Sequence, residues 1–315
     1  MNGRNYVKDA LFGLSVGDAL GVPVEFQPRE QLKRDPVMGM RAYGSHHQPA
    51  GTWSDDSSMA FCLAETLCTE YNLGSLASRF VHWESDGYWG AHGRVFDIGI
   101  ATSSAIDRLK RGIDPLAAGN TEESSNGNGS LMRILPLLFF IRDKDIETRF
   151  KMIRDVSSLT HRHNRSVIAC FIYLEFALEL LEGRSKELAY DRSRERAAAC
   201  LEGLEEYTEK ERAVFDRILS GKLPGLKEEE VFSSGYVVHT LEASLWCLLT
   251  GRDYRETVLS AVNLGEDTDT TGAVAGGLAG LIYGWAQIPA EWMEVLARKA
   301  EIGELADRLY KKLYN

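Results

Sequence analysis

Apolar residues recur at helical spacing along most of this chain. Val7, Ala10, Leu11 and Leu14 fit the i, i+3, i+4, i+7 pattern of an amphipathic helix. Gly21 and Pro23 end that helix and send the chain extended to Glu25. Residues 27–50 have no period and read as loop, with His46 and His47 leading into a Pro-Ala-Gly turn. Met59, Leu63 and Leu67, with Ala60 and Ala64 beside them, predict a helix starting near Ser57. Residues 75–120 read as helix, loop, helix, the second helical stretch starting at Thr102. An apolar helix interrupted at Pro136 is expected over Leu131–Ile141. A longer one follows over Ser166–Leu181, with Glu175, Glu179 and Glu182 as its polar stripe and Gly183 as its stop. The highly charged residues 184–230 predict solvated helices laced by i, i+4 pairs. Apolar character returns over Ser233–Thr250, where Gly235 and Tyr236 start a helix, and Ile302, Leu305, Leu309 and Leu313 predict an amphipathic C-terminal one. No stretch alternates at period 2, and no linker or fixed-period repeat divides the chain. The fold expected is all-α, a single compact multi-helix domain over residues 1–315.

The segment Asn263 to Gly284 departs from this ordinary pattern. Gly272, Gly276, Gly280 and Gly284 recur every fourth residue and so share one helix face. Each weakens a helix by about 1 kcal/mol relative to Ala. Close approach of a second helix to the bare backbone is the expected compensation. Asp267 and Asp269, set among Thr268, Thr270 and Thr271, stand at the N-terminal mouth of this helix. They read either as metal ligands on a rigid element or as a solvated loop and N-cap.

Upstream, Ser54, Asp55 and Asp56 precede the helix expected near Ser57. An N-cap explains one such aspartate more easily than two adjacent ones. If the two acidic segments converge, they form an all-oxygen site with room for two divalent cations. Asp18, in an apolar context, reads as a surface loop residue or as a carboxylate aimed into a cleft. The Asn126-Gly127-Asn128-Gly129-Ser130 run reads as an anion cradle feeding a helix or as a plain turn.

Composition narrows the function classes. With 315 residues, 44% of them hydrophobic, the chain can bury a sizeable core. A net charge of −10 argues against a general nucleic-acid or anionic-membrane binder, while leaving room for one anionic small molecule. The glycine segment falls short of the roughly 20 apolar residues that a membrane span needs. Five dispersed cysteines and the lack of a secretory pattern in residues 1–30 predict a reduced, cytoplasmic protein. Oligomeric state is open at this stage.

Taken in order, these segments resemble the ADP-ribosylglycohydrolase family, relatives of the bacterial enzyme that removes ADP-ribose from dinitrogenase reductase. The resemblance rests on GDALGVPVEF, WSDDS, FDIGIAT, NGNGSLMR, THRHN and GEDTDTTGAVAG, and it covers nearly the whole chain. It implies an all-helical fold with two divalent cations, Mg²⁺ or Mn²⁺. The metal ligands it implies are Ser54, Asp55, Asp56, Asp267, Asp269 and Thr270. Ser54 stands where the family usually has Thr, which keeps the hydroxyl oxygen. Glu266 stands where Gly is frequent and adds a carboxylate beside the cluster. The activity implied is hydrolysis at C1″ of the distal ribose, freeing ADP-ribose from a protein side chain or a small-molecule derivative. Glu25, Asp55, Asp56 and Asp267 become candidates for base or water-orienting group. Asp97, Asn126, Gly127, Asn128, Gly129, Ser130, His161 and Tyr236 become the implied substrate contacts. An inert ADP-ribose-binding or structural protein on the same scaffold is the alternative. Aspartate-rich, Mg²⁺-dependent diphosphate enzymes fit less well, because Ser57-Ser58-Met59-Ala60 offers no further acidic residue.

Overall fold

Two helices far apart in sequence lie backbone against backbone at the centre of the molecule, and the other elements pack around them. The structure, a computed structural model, describes residues 4–314. The first helix is Tyr6–Gly21 and the glycine helix is Thr268–Tyr283. They run antiparallel: Gly13 faces Gly276 and Gly280, Gly17 faces Gly272, and Gly21 faces Thr268 and Asp269. A Cβ on Gly272 would lie 2.5 Å from the Gly17 carbonyl oxygen, closer than real contacts allow. The glycine face thus meets a matching glycine face, as the helix-weakening composition required. Thr268 Oγ1 donates to the Gly21 carbonyl at 2.8 Å and pins the end of the pair that carries the aspartates. Tyr254 donates to the Gly13 carbonyl at 2.7 Å and Tyr173 to that of Val274 at 3.1 Å, which satisfies buried hydroxyls against the same two helices. Around the pair stand the acidic helix Asp55–Leu67, the long helix Asn164–Leu181, and the helices Val237–Thr250, Tyr254–Asn263 and Lys299–Tyr314.

Among the described residues there is no strand, only isolated bridges of Asn120 with His161 and Gly127 with Tyr236. The architecture is all-α, with one continuous apolar core. No helix among the described residues is long and apolar enough to cross a membrane.

Local expectations fail in three places, each for a physical reason. Residues 27–50 include a short helix, Arg29–Arg34, whose only buried residue is Leu32, too little apolar period to be legible. The helix expected over Leu131–Ile141 is reduced to Leu137–Ile141. Pro136 disfavours helical backbone at Leu135, and the preceding residues turn tightly instead. Glu175 and Glu179 are not a solvated stripe but fully buried. Arg149 grips Glu175 through two hydrogen bonds of 2.6 and 2.9 Å, Arg196 reaches both glutamates, and Arg184 and Arg192 close on Glu179. The charges of helix Lys186–Glu202 therefore point partly inward, across helices rather than along one.

Candidate active site

The acidic helix is capped by other groups than its own first-turn aspartates. Asp18, fully buried on the first helix, accepts from Ser54 N at 2.9 Å, Ser57 N at 3.0 Å and Ser57 Oγ at 2.5 Å. Ser54 is the N-cap residue, accepting from Asp56 N at 3.3 Å, and its hydroxyl donates to Asp56 Oδ2 at 2.8 Å. With the free N–H groups served in this way, Asp55 and Asp56 are not needed as caps. Asp18 is therefore neither a surface residue nor a cleft carboxylate. It seats the SDD turn.

The glycine helix delivers the other half. Asp267 occupies its N-cap position but makes no capping bond. Its Oδ2 instead accepts from Asn128 Nδ2 at 3.0 Å. Thr270 Oγ1 points to Asp56 Oδ2 at 3.4 Å, which joins the two acidic segments directly. One oxygen each from Asp18, Asp56 and Asp269 lies within 4.8 Å of the others, and the same holds for Glu25, Asp267 and Asp269. The segments converge.

Three buried carboxylate oxygens, Asp56 Oδ1, Asp267 Oδ1 and Asp269 Oδ2, have no hydrogen-bond partner in the protein. Buried acceptors without partners are rare and costly. Burial first, and then the charge of neighbouring acids, pushes the carboxyls of Asp55, Asp56 and Asp269 well above the usual range. Asp267 is raised by burial, against the bond from Asn128. Orphaned hard oxygens in a set that repels itself suit hard divalent cations. On that test, the unpartnered oxygens of Asp56, Asp267 and Asp269 suit such a cation.

A cavity of about 660 Å³ opens beside this cluster. Glu25, Asp55, Asp97, Asp267 and Thr270 form its acidic side. Gly127, Asn128, Gly129 and His161 form part of the rest. Glu25 follows the short 3-10 turn Val22–Val24, and its carboxyl is pushed up to about 10 by burial, then by Asp97 and Asp267. Asp97 has left-handed backbone, φ 54°, in the segment between two helices. His161 lies beneath the glycine loop, where a Cβ on Gly129 would come within 2.7 Å of its Cε1. Burial, then Arg133, pushes His161 down to about 3, so its imidazole is neutral.

The ADP-ribosylglycohydrolase family model matches residues 2–315. The chain belongs to that family. ADP-ribosylarginine hydrolase Tri1 of Pseudomonas putida (strain GB-1) is 35% identical over 308 residues, covering 97% of this chain and 78% of that protein. ADP-ribosyl-[dinitrogen reductase] glycohydrolase of Rhodospirillum rubrum is 27% identical over 305 residues, with 93% and 90% covered. A solved structure titled ADP-ribosylglycohydrolase-related protein complex superposes with a TM-score of 0.82 at 32% identity, covering 99% of both chains.

In this member of the ADP-ribosylglycohydrolase family, three of the residues expected around the substrate do not line the cleft. Asn126 bonds the Glu123 carbonyl at 2.9 Å and Ser166 Oγ at 3.2 Å, so its amide holds the loop. Ser130 is fully buried and accepts from Ser157 at 2.9 Å. Tyr236 turns its hydroxyl to Arg165 at 3.3 Å, and its backbone bridges Gly127. Glu266 is exposed; its backbone carbonyl accepts from Phe26 N at 2.7 Å and its N–H donates to the Gln27 carbonyl at 2.8 Å. Its carboxylate does not line the cleft.

Sequence reasoning gave no role to Thr102, which lines the cavity, or to Arg133. Arg133 is fully buried with no carboxylate partner, and lies over the Phe80 ring at 5.0 Å. It donates to the carbonyls of Gly129 and of Val156, the latter at 3.1 Å, and so tethers the glycine loop from behind. One basic residue inside the apolar run LMRILPLLFF was the available signal.

Proposed function

We propose that this protein is a metal-dependent hydrolase acting on the glycosidic bond at C1″ of the distal ribose of ADP-ribose. It frees ADP-ribose from a modified protein side chain or a related small-molecule derivative. The observation that carries this reading is the set of unpartnered buried oxygens on Asp56, Asp267 and Asp269 at the edge of a 660 Å³ cleft. Two divalent cations, Mg²⁺ or Mn²⁺, held by Ser54, Asp55, Asp56, Asp267, Asp269 and Thr270, would supply Lewis acidity and orient oxygen ligands when bound.

The protein's own groups do the rest. Asp18 and Ser54 fix the direction of Asp55 and Asp56. Asn128 holds Asp267, and Gly127 and Gly129, which let the loop pack closely on neutral His161, line the cleft where a diphosphate would lie. Glu25 and Asp97 flank the position where the ribose C1″ would sit. The charge of bound cations would offset the burial and the neighbouring acids that keep Glu25 protonated. Ionised, it takes a proton from the water whose oxygen bonds to C1″. The bond from C1″ to the acceptor breaks, the acceptor leaves with that proton, and the carboxylates stabilise the positive charge that develops on the ring.

No Lys or Arg lines this cleft among the described residues. Surplus negative charge at its mouth suits a guanidinium acceptor, and the 35% identity to an ADP-ribosylarginine hydrolase supports the same choice. ADP-ribosylarginine is therefore the acceptor linkage we assign. A reducing, cytoplasmic setting belongs to this reading, supported by five unpaired cysteines, as does a single catalytic domain over residues 1–315. The test is release of ADP-ribose from arginine- and serine-modified peptides with Mg²⁺, with Mn²⁺ and after chelation. Release from the arginine peptide that EDTA abolishes supports the proposal. No release from either peptide with any ion overturns it.

A further inference from the structure

Glu25 is the catalytic carboxylate whose own segment does least to hold it. It ends a 3-10 turn, and the chain bends away at Phe26 with left-handed backbone, φ 63°. Asp97 and Asp267 both disfavour its charge, and Asp97 shares a hydrogen bond with its carboxyl. A basic partner comes from residues 43–48, the part of the sequence that reads as plain loop. His46 Nε2 is hydrogen-bonded to Glu25 Oε2.

The loop carrying His46 is tied down at several points. Ser45 N donates to the Pro23 carbonyl at 2.9 Å, and Ser45 Oγ donates to the carbonyl of Glu25 itself at 2.6 Å. Gly44 lies against the Pro23 carbonyl with no room for a Cβ. Tyr43 N donates to the Gln48 carbonyl at 2.7 Å, and the Gln48 amide donates to the His46 carbonyl at 3.0 Å. The imidazole lies between two aromatic rings, Phe26 at 5.9 Å and Phe96 at 5.2 Å, and its side chain is only 14% exposed. Backbone, side chain and ring are each fixed.

Resting on the hydrolase reading above, we infer that His46 is a positioning residue for the reaction: its Nε2–H holds Glu25 Oε2 so that the carboxylate faces C1″ and the water. The loop from Tyr43 to Gln48 is then a strap over the catalytic glutamate, and not a cover for the cleft. Displacing a reacting group by 1 Å costs on the order of 100-fold in rate, so a repelled glutamate without this bond loses turnover and not substrate affinity.

The experiment compares full-length wild type with His46→Ala and His46→Gln. It reads kcat and KM for ADP-ribosylarginine, the dissociation constant for ADP-ribose, bound Mn²⁺ per chain, and the melting temperature. His46→Ala is expected to lower kcat by about 100-fold with KM, ADP-ribose affinity and Mn²⁺ content unchanged. The amide of His46→Gln retains an N–H donor and is expected to restore roughly a tenfold share of that loss. Three results overturn the inference: wild-type turnover in His46→Ala, a parallel loss of ADP-ribose affinity, or no recovery in His46→Gln. Loss of a bound Mn²⁺ in His46→Ala overturns it too, making His46 a ligand. Wild type that releases no ADP-ribose fails the hydrolase reading before any variant is compared, and the role of His46 falls with it.

Discussion

Gly272 and Gly17 meet so closely that a Cβ on the first would stand 2.5 Å from the carbonyl oxygen of the second. The same opposition recurs one turn on, between Gly276 and Gly13. Alanine is the best helix former, better than glycine by about 1 kcal/mol, yet here its methyl group has to displace backbone. Gly276→Ala is expected to lower unfolding free energy by about 3 kcal/mol, at the upper end of overpacking costs. Urea denaturation measures this, and a wild-type midpoint would mean that the two helices can separate freely.

Asp18 accepts three hydrogen bonds from Ser54 and Ser57 and does not line the cleft. Asp18→Asn replaces one acceptor oxygen by a donor that faces other donors. The SDD turn should then tilt, with a 10- to 100-fold loss of Mn²⁺ affinity, roughly that of other groups that orient metal ligands. Titration of free Mn²⁺ by electron paramagnetic resonance reads it. Unaltered affinity would show that the turn holds its shape alone.

The carboxylate cluster makes an opposite pair of predictions with and without ions. Asp55, Asp56 and Asp269 have raised pKa values in the fold, so the folded state holds protons more tightly than the unfolded one. Their contribution to metal-free stability is therefore greatest at acid pH and is lost as pH rises above about 4. In EDTA at pH 7.5, Asp269→Asn should melt above wild type. With Mn²⁺ the order should reverse, since binding stabilises only the intact site. Scanning fluorimetry decides, and a single order under both conditions would contradict the cation assignment.

His161 is held neutral, with its pKa pushed down to about 3. A histidine whose folded pKa lies below its unfolded value destabilises the fold as pH falls below about 6.5, because only the unfolded chain takes the proton. Its ring signals should stay flat between about pH 5 and 8 in nuclear magnetic resonance spectra, while those of an ordinary histidine move. A His161 titration near neutrality would show an imidazolium, not a neutral ring, beside the glycine loop.

Much of this was legible because periodicity and chemistry coincided. The glycine face announced close packing, and DTDT and SDD, each at the start of a helix, announced two acidic segments that could converge. What escaped had no periodic or compositional mark. Nothing in Asn126 or Ser130 distinguishes an amide or hydroxyl spent behind a loop from one facing a ligand. Gly13, Gly17 and Gly21 carry the same spacing of four as the glycine helix, yet serve as its partner only through tertiary contact. His46 reaches Glu25 across a loop whose register no pattern fixes. Glu175 and Glu179 show the converse, since a polar stripe looks solvated until arginines from three other segments close over it.

The opposition of the first helix and the glycine helix also sets an order of events during synthesis. Thr268 and Gly21, joined at the very end that bears the aspartates, are 247 residues apart. While the ribosome is still translating the middle of the chain, Asp18 and the SDD turn are already made but have nothing to complete them. The first helix must wait, its glycine face uncovered, for the glycine helix to emerge. Contacts of such long sequence separation form slowly. A chain interrupted before the glycine helix therefore carries half a cluster and none of its closure.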